Sequence, residues 1–209
     1  MPDAIISSDV AFTATVKAEQ QRRGSRAGYA RMEARGGWAT EVTPDLAAFL
    51  AEIDSAYLAT ANAKGQPYAQ HRGGPKGFLC VIDNRTIGFA DYTGNRQYIT
   101  TGNLGENDQA FLFLMDYAHR RRVKLWGRAV VTDDPAIVAR LMPDGYNAKP
   151  EQAILFEITA WDSNCSQHIP QKISATDIAE TINRLEIRLK AAEAENAELR
   201  AWLGRRSEA

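Results

Sequence analysis

The 209 residues carry 25 Lys and Arg against 26 Asp and Glu, a formal charge of −1, and 44% of them are hydrophobic. That content suffices for a packed core and is too high for a disordered chain, while the near-neutral balance excludes general nucleic-acid binding, which needs a basic surface. No apolar run approaches membrane-spanning length, so one ordinary domain with an appendage and no membrane partner is expected.

The first ten residues, MPDAIISSDV, have neither a basic region nor a long apolar core, and only Cys80 and Cys165 are present, without a CxxC. A cytoplasmic protein with reduced thiols is the expectation. Ser8 or Asp9 is placed to cap a helix running to about Arg23 and ending at Gly24. A second helical piece, Ala27–Arg35, stops at Gly36-Gly37. Thr43-Pro44-Asp45 then opens a third helix with a cap, a first-turn proline and an early acid. Its Leu46, Phe49, Leu50 and Ile53 fall on one face, which is built to be buried. These helices read as packing elements.

From Ala56 the hydrophobic period changes to two. Tyr57–Ala61 and Pro67–His71 flank Asn62-Ala63-Lys64-Gly65, and Phe78–Ile82 and Thr86–Asp91 flank Asp83-Asn84-Arg85. Ala110–Met115 and Arg120–Thr132 flank Asp116-Tyr117-Ala118-His119, and Ala153–Ala160 follows a short helix near Ala136–Leu141. Short strands joined by hairpin turns predict an antiparallel barrel or sandwich, and a barrel would leave no exposed edge. The loop Gln70–Gly77 interrupts the pattern with Gly73-Gly74. It reads either as a bulge and loop or as a place where backbone approaches a flat ligand beside Arg72 and Lys76.

The stretch Phe89–Leu104 runs from a strand through Thr93-Gly94-Asn95 to Arg96-Gln97-Tyr98. Freed N–H groups and a guanidinium there would suit an anion, although a tight turn with a solvated arginine gives the same letters. On the long strand, Val123, Leu125, Gly127, Ala129 and Val131 point to an interior. Arg120, Arg122, Lys124, Trp126 and Arg128 point the other way with no interleaved acids. That charge excess predicts an external anion or acidic surface to meet it. His71, His119 and His168 are scattered, so no metal site is expected. Cys165 and His168 offer a nucleophile and a base, but nothing local activates them.

Four blocks, YLATANAKGQPYAQHRGGPKGF, IGFADYTGNRQYITTGNL, RRRVKLWGRAVV and WDSNCSQHIP, together resemble the pyridoxamine 5′-phosphate oxidase-related, FMN-binding split-barrel proteins, in the order that family has them. The similarity spans roughly Ala56 to Pro170 and is closest to a branch distinct from the vitamin B6 enzyme. It implies a mainly β (α+β) fold with an antiparallel split barrel at 56–172, to which the residue pattern adds an N-terminal helical segment at 1–55 packing on it and a C-terminal helix at 173–209. It also implies a homodimer with FMN in the cleft between subunits. By position, Gln70, His71, Arg72 and Gly73 would lie along the flavin and Ala90 and Asp91 would follow it. Asn95, Arg96 and Gln97 would hold the phosphate. The B6 enzymes have a lysine where this chain has Gln97, so Arg122 or Lys124 would supply the missing charge. Trp161 and Gln167 would close the site from the last strand, contributed by the other subunit. The family's C-terminal arginine–histidine substrate pattern is reduced here to Gln167-His168, which weighs against pyridoxamine phosphate oxidation. The resemblance leaves a flavin oxidoreductase with a nicotinamide donor, a non-enzymatic flavin binder or sensor, and a haem- or deazaflavin-binding variant.

The tail is not explained by that resemblance. Ser174 begins a Ser-x-x-Asp cap. Beyond it Ile178, Ile182, Leu185, Leu189, Ala192, Asn196, Leu199 and Leu203 recur at alternating spacings of four and three. This is the seam of a coiled coil, although an amphipathic helix on its own barrel would also show a stripe.

Overall fold

A computed structural model describes residues 6–164 and 167–207 of the chain. They form two compact units: the chain up to Asp116 together with Arg121–Gln167, and Tyr117–Arg120 together with the chain from His168 onward.

A 3₁₀ turn at Ser7–Val10 precedes helices α1 (Ala14–Arg22), α2 (Arg26–Glu33) and α3 (Pro44–Glu52). Helix α1 starts later than the sequence suggested. Asp9 accepts from the Ile6 N–H at 3.2 Å and from Lys17 Nζ at 2.6 Å, and Ser8 is buried, so neither is free to cap. Thr13 caps instead, accepting from the Val16 N–H at 3.3 Å. Helix α3 begins where its signals sit: Thr43 accepts from the Leu46 N–H at 3.2 Å, with Pro44 in the first turn. Its Leu46, Phe49 and Leu50, with Ile53 just past its end, are buried in one cluster with the strand residues Leu58, Phe89, Leu112, Leu125 and Phe156. Each such side chain contributes about 1.5–3 kcal/mol by leaving water, which ties the helix to the sheet.

The strands are β1 (Ser55–Ala61), β2 (Pro67–Gly73), β3 (Cys80–Val81), β4 (Thr86–Tyr92), β5 (Gln109–Asp116), β6 (Arg121–Thr132) and β7 (Pro150–Asn164). Helix α4 (Ile99–Glu106) follows β4, α5 (Pro135–Leu141) follows β6, and α6 (Ala175–Ser207) ends the chain. One antiparallel sheet runs in the order β2-β1-β5-β6-β7-β4-β3. Two predicted hairpins appear as β1/β2, with Ala61 opposite Pro67, and β5/β6, with Asp116 opposite Arg121. In the third, Asp83 ties the β3–β4 turn by accepting from the N–H groups of Arg85 and Thr86 at 2.8 and 2.7 Å.

Strands β2 and β3 stand at the two ends of the order with no ladder joining them, so the barrel is split, as the family resemblance implied, and keeps edges. Strand β2 also continues through His71 to Gly73, where a loop was expected.

On β6, Val123, Leu125 and Ala129 are buried and Val131 is partly so, in line with the alternation. The expected charge excess on its other face is met in large part from within the chain, while Arg122 keeps a buried Nε without a hydrogen-bond partner. Lys124 pairs with Asp162 at 3.1 Å and Arg128 with Asp108 at 2.7 Å, while Arg121 pairs with Asp116 at 2.7 Å. The acids come from a neighbouring strand, a hairpin partner and a loop, where reading along one strand cannot find them. Arg120 lies outside the strand, in a left-handed conformation with φ of 55°.

Candidate functional site

At the split, side chains do what backbone hydrogen bonds do not. Arg72 on β2 reaches Asp91 on β4 through Nη1, and its Nη2 donates to Gln70 Oε1 at 3.1 Å. Gln70 Oε1 also accepts from Thr100 Oγ1 at 3.0 Å, bringing in the first turn of α4. The other oxygen of Asp91 accepts from Gln152 Nε2 at 2.9 Å, and the same nitrogen lies 3.0 Å from Thr101 Oγ1. Gln152 stands opposite Asp91 in the β4–β7 register, so its position follows from strand pairing. Two strands, a third across the sheet and a helix start are thereby joined through one carboxylate.

A cavity of about 200 Å³ opens above this network, bordered by Gln70, Arg72 and Asp91, by Gly94, Asn95, Arg96 and Tyr98, and by Thr100, Thr101, Glu151 and Gln152. Its charges sort as follows. Asp91 is held by Arg72 and Gln152, and Glu151 accepts from Tyr98 Oη at 2.6 Å, which raises the tyrosine pKa. Two donors are left over. Arg72 Nε is buried without a hydrogen-bond partner, and Arg96, exposed at the rim, forms no ion pair among the described residues. Unpaired guanidinium donors beside backbone and hydroxyl donors are what an oxyanion with several lone pairs can satisfy.

The backbone here is also unusual. Arg96 and Tyr98 have φ of 58° and 52°, left-handed values taken by residues with side chains. Such conformations cost of order 1–3 kcal/mol and cluster at ligand clamps. Asn95 steadies the turn by accepting from the Gln97 N–H at 3.2 Å. Because glycine adopts this conformation freely, Arg96→Gly is expected to be about 1 kcal/mol more stable than Arg96→Ala. Urea melts of the two variants check this; an alanine variant as stable as the glycine variant would show the turn to be relaxed.

Of the expected site residues, Gln70, Arg72, Asp91, Asn95 and Arg96 meet at this cavity. His71 points away on the other face of β2, with Nε2 at 2.9 Å from Ser55 Oγ and its ring edge-on to Tyr57. Gly73 and Gly74 have an internal explanation. A Cβ at Gly73 would meet the His71 ring at 2.9 Å, and one at Gly74 would meet Phe78 Cβ at 2.8 Å. Ala90 is buried beside Leu141 and Ala153, and Gln97 is exposed outside the cavity. Arg122 lies over the Phe113 ring at 5.9 Å, Lys124 is paired with Asp162, and Trp161 donates to the Glu41 carbonyl at 2.8 Å; none borders the cavity. Gln167 and His168 are exposed, and Cys165 lies outside the described residues. Sequence reasoning missed Tyr98, Thr100, Thr101, Glu151 and Gln152. The first three sit in the stretch already singled out, while Glu151 and Gln152 carry no local signal.

Among the described residues no group of His, Cys, Asp and Glu could hold a metal ion, and no helix is long and apolar enough to cross a membrane.

Residues 42–165 match the family model for pyridoxamine 5′-phosphate oxidase. No curated protein matches the chain. Among solved structures, HupZ of Group A Streptococcus is 15% identical, with 63% of this chain and 99% of that chain covered and a TM-score of 0.49. A Clostridium acetobutylicum protein related to general stress protein 26 is 16% identical, with 60% and 88% covered and a TM-score of 0.42. The FAD binding protein from Mycobacterium smegmatis is 15% identical, with 60% and 97% covered and a TM-score of 0.41.

Proposed function

The chain belongs to the pyridoxamine 5′-phosphate oxidase family, and we propose that it is an FMN-binding flavoprotein whose cavity at the barrel split takes the phosphate end of the cofactor. One observation carries this reading: two guanidinium groups without full partners, Arg72 and Arg96, border one small polar cavity. The fit is specific in one respect. The sequence left one phosphate charge unmet at Gln97; Arg72 on β2, its charge paired with Asp91, would offer the phosphate its free Nε–H. Arg96 would hold the phosphate, with Asn95 shaping the turn and the hydroxyls of Thr100 and Thr101 close by.

Size bears on the partner. A cavity of about 200 Å³ is smaller than the roughly 300–1,000 Å³ of ordinary small-molecule sites, so one chain offers part of a site. A second copy completing it, with Arg122, Lys124, Trp161 and Gln167 on the partner's side, is the homodimer that this reading requires. Bound FMN supplies hydride or electron transfer, and the protein supplies orientation and electrostatics. Excluding water from the flavin and fixing its phosphate are what these residues do toward an oxidoreductase.

To test it, the purified protein is supplemented with FMN, FAD and haem, washed, denatured, and the released pigment chromatographed. FMN is the expected pigment, since nothing here offers a dinucleotide fingerprint. Release of FAD, haem or no pigment overturns the reading. Anaerobic bleaching of the bound flavin by NADH or NADPH then distinguishes an oxidoreductase from a passive binder.

A further inference from the structure

Helix α6 runs unbroken from Ala175 to Ser207, 33 residues, about 50 Å. Its start is fixed by Ser174, whose Oγ accepts from the Asp177 N–H at 3.0 Å. Along it Ile178, Ile182, Leu185, Leu189, Leu199 and Leu203 are between 47% and 59% exposed, and Ala192 and Asn196 between them are exposed as well. A 3.5-residue repeat of apolar side chains in water is a surface made to be covered.

We infer that the cover is a second copy of this chain, its α6 aligned in parallel to make a two-stranded coiled coil. Three features choose this occupant. Asn196 falls at an a position, where a buried asparagine fixes register and favours two strands. In a parallel pair Arg188 at g meets Glu193 at e of the partner helix, and Glu195 meets Arg200, opposite charges both times. The rest of the polar surface mixes Glu180, Glu186 and Glu198 with Arg184 and Lys190, whereas a helix that lies on an anionic membrane has a basic polar face. The inference is independent of the flavin reading, since it rests on α6 alone.

The test uses the full chain with Cys80→Ser and Cys165→Ser. Asn196→Cys in this background is oxidised mildly at low protein concentration, beside Ile187→Cys, which sits at the outward f position. The seam variant is expected to give a covalent dimer at least tenfold faster. Equal rates at the two positions, no cross-link, or linkage only to other proteins overturns the coil. Adding Arg188→Glu should slow the cross-link, and adding Glu193→Arg to that should restore it. Lack of rescue overturns the parallel alignment. Loss of FMN binding without loss of cross-linking would count against the flavin reading and leave this one standing.

Discussion

Asp91→Ala is expected to destabilise the protein by about 3–5 kcal/mol, the usual cost of removing one partner from a buried ion pair. The side chains of Arg72 and Asp91 are only 11% and 12% exposed. Without the carboxylate, Arg72 retains Gln70 as its partner, and Gln152 loses its acceptor on β4. The penalty therefore includes an uncompensated buried cation as well as lost contacts. Urea denaturation measures it, and a loss under about 1 kcal/mol would mean that the pair is solvated. Replacing both residues, Arg72→Met with Asp91→Leu, should recover much of the loss, because apolar replacement of a whole buried pair is often neutral. That double variant should nonetheless lose phosphate-dependent flavin binding, which separates the pair's two roles.

Gly127→Ala should cost about 3 kcal/mol or more, beyond ordinary overpacking. A Cβ there would stand 2.1 Å from the Glu157 carbonyl oxygen and 2.5 Å from the Phe156 ring. A carbonyl held in a sheet cannot swing aside as a side chain can. The site coincides with a register shift between β6 and β7 at Trp126/Gly127, where Thr159 Oγ1 donates to the Trp126 carbonyl at 3.0 Å, the kind of bulge that glycine marks in a strand. Gly88→Ala is the contrast. Its new Cβ would meet only side-chain ends, Ile82 Cδ1 at 2.8 Å and Leu141 Cδ1 and Leu155 Cδ2 at 3.1 Å, so about 1 kcal/mol is expected. Thermal melts of the two variants should rank them in that order; the reverse would show that β6 and β7 separate easily.

What sequence could and could not show divides along one physical line. Features set within a few residues were legible: the Thr43 cap, the buried face of α3, the hairpin turns, the inward side of β6. The Asp9 misreading shows the limit of that local rule, since a residue competent to cap was already bound to Ile6 and Lys17. Features set by pairing between distant segments were not legible. The cations of β6 looked unmatched because Asp162 and Asp108 lie about 20 to 40 positions away in the chain. Likewise Gln152 joins the site only because it stands opposite Asp91. The candidate site was half legible for the same reason. The Gly94–Tyr98 turn announces itself, whereas Arg72 becomes a second donor only once β2 and β4 face each other across the split.

The most direct test of the phosphate site compares the affinities of FMN and riboflavin in the wild type and in Arg96→Ala, by flavin fluorescence quenching. A charge-assisted contact contributes about 1.5–3 kcal/mol, so the variant should bind FMN on the order of tenfold to a hundredfold more weakly. Its affinity for riboflavin, which has no phosphate, should stay unchanged. Equal weakening of both ligands, or of neither, would contradict the assignment of Arg96 to the phosphate and, with it, the reading of this cavity.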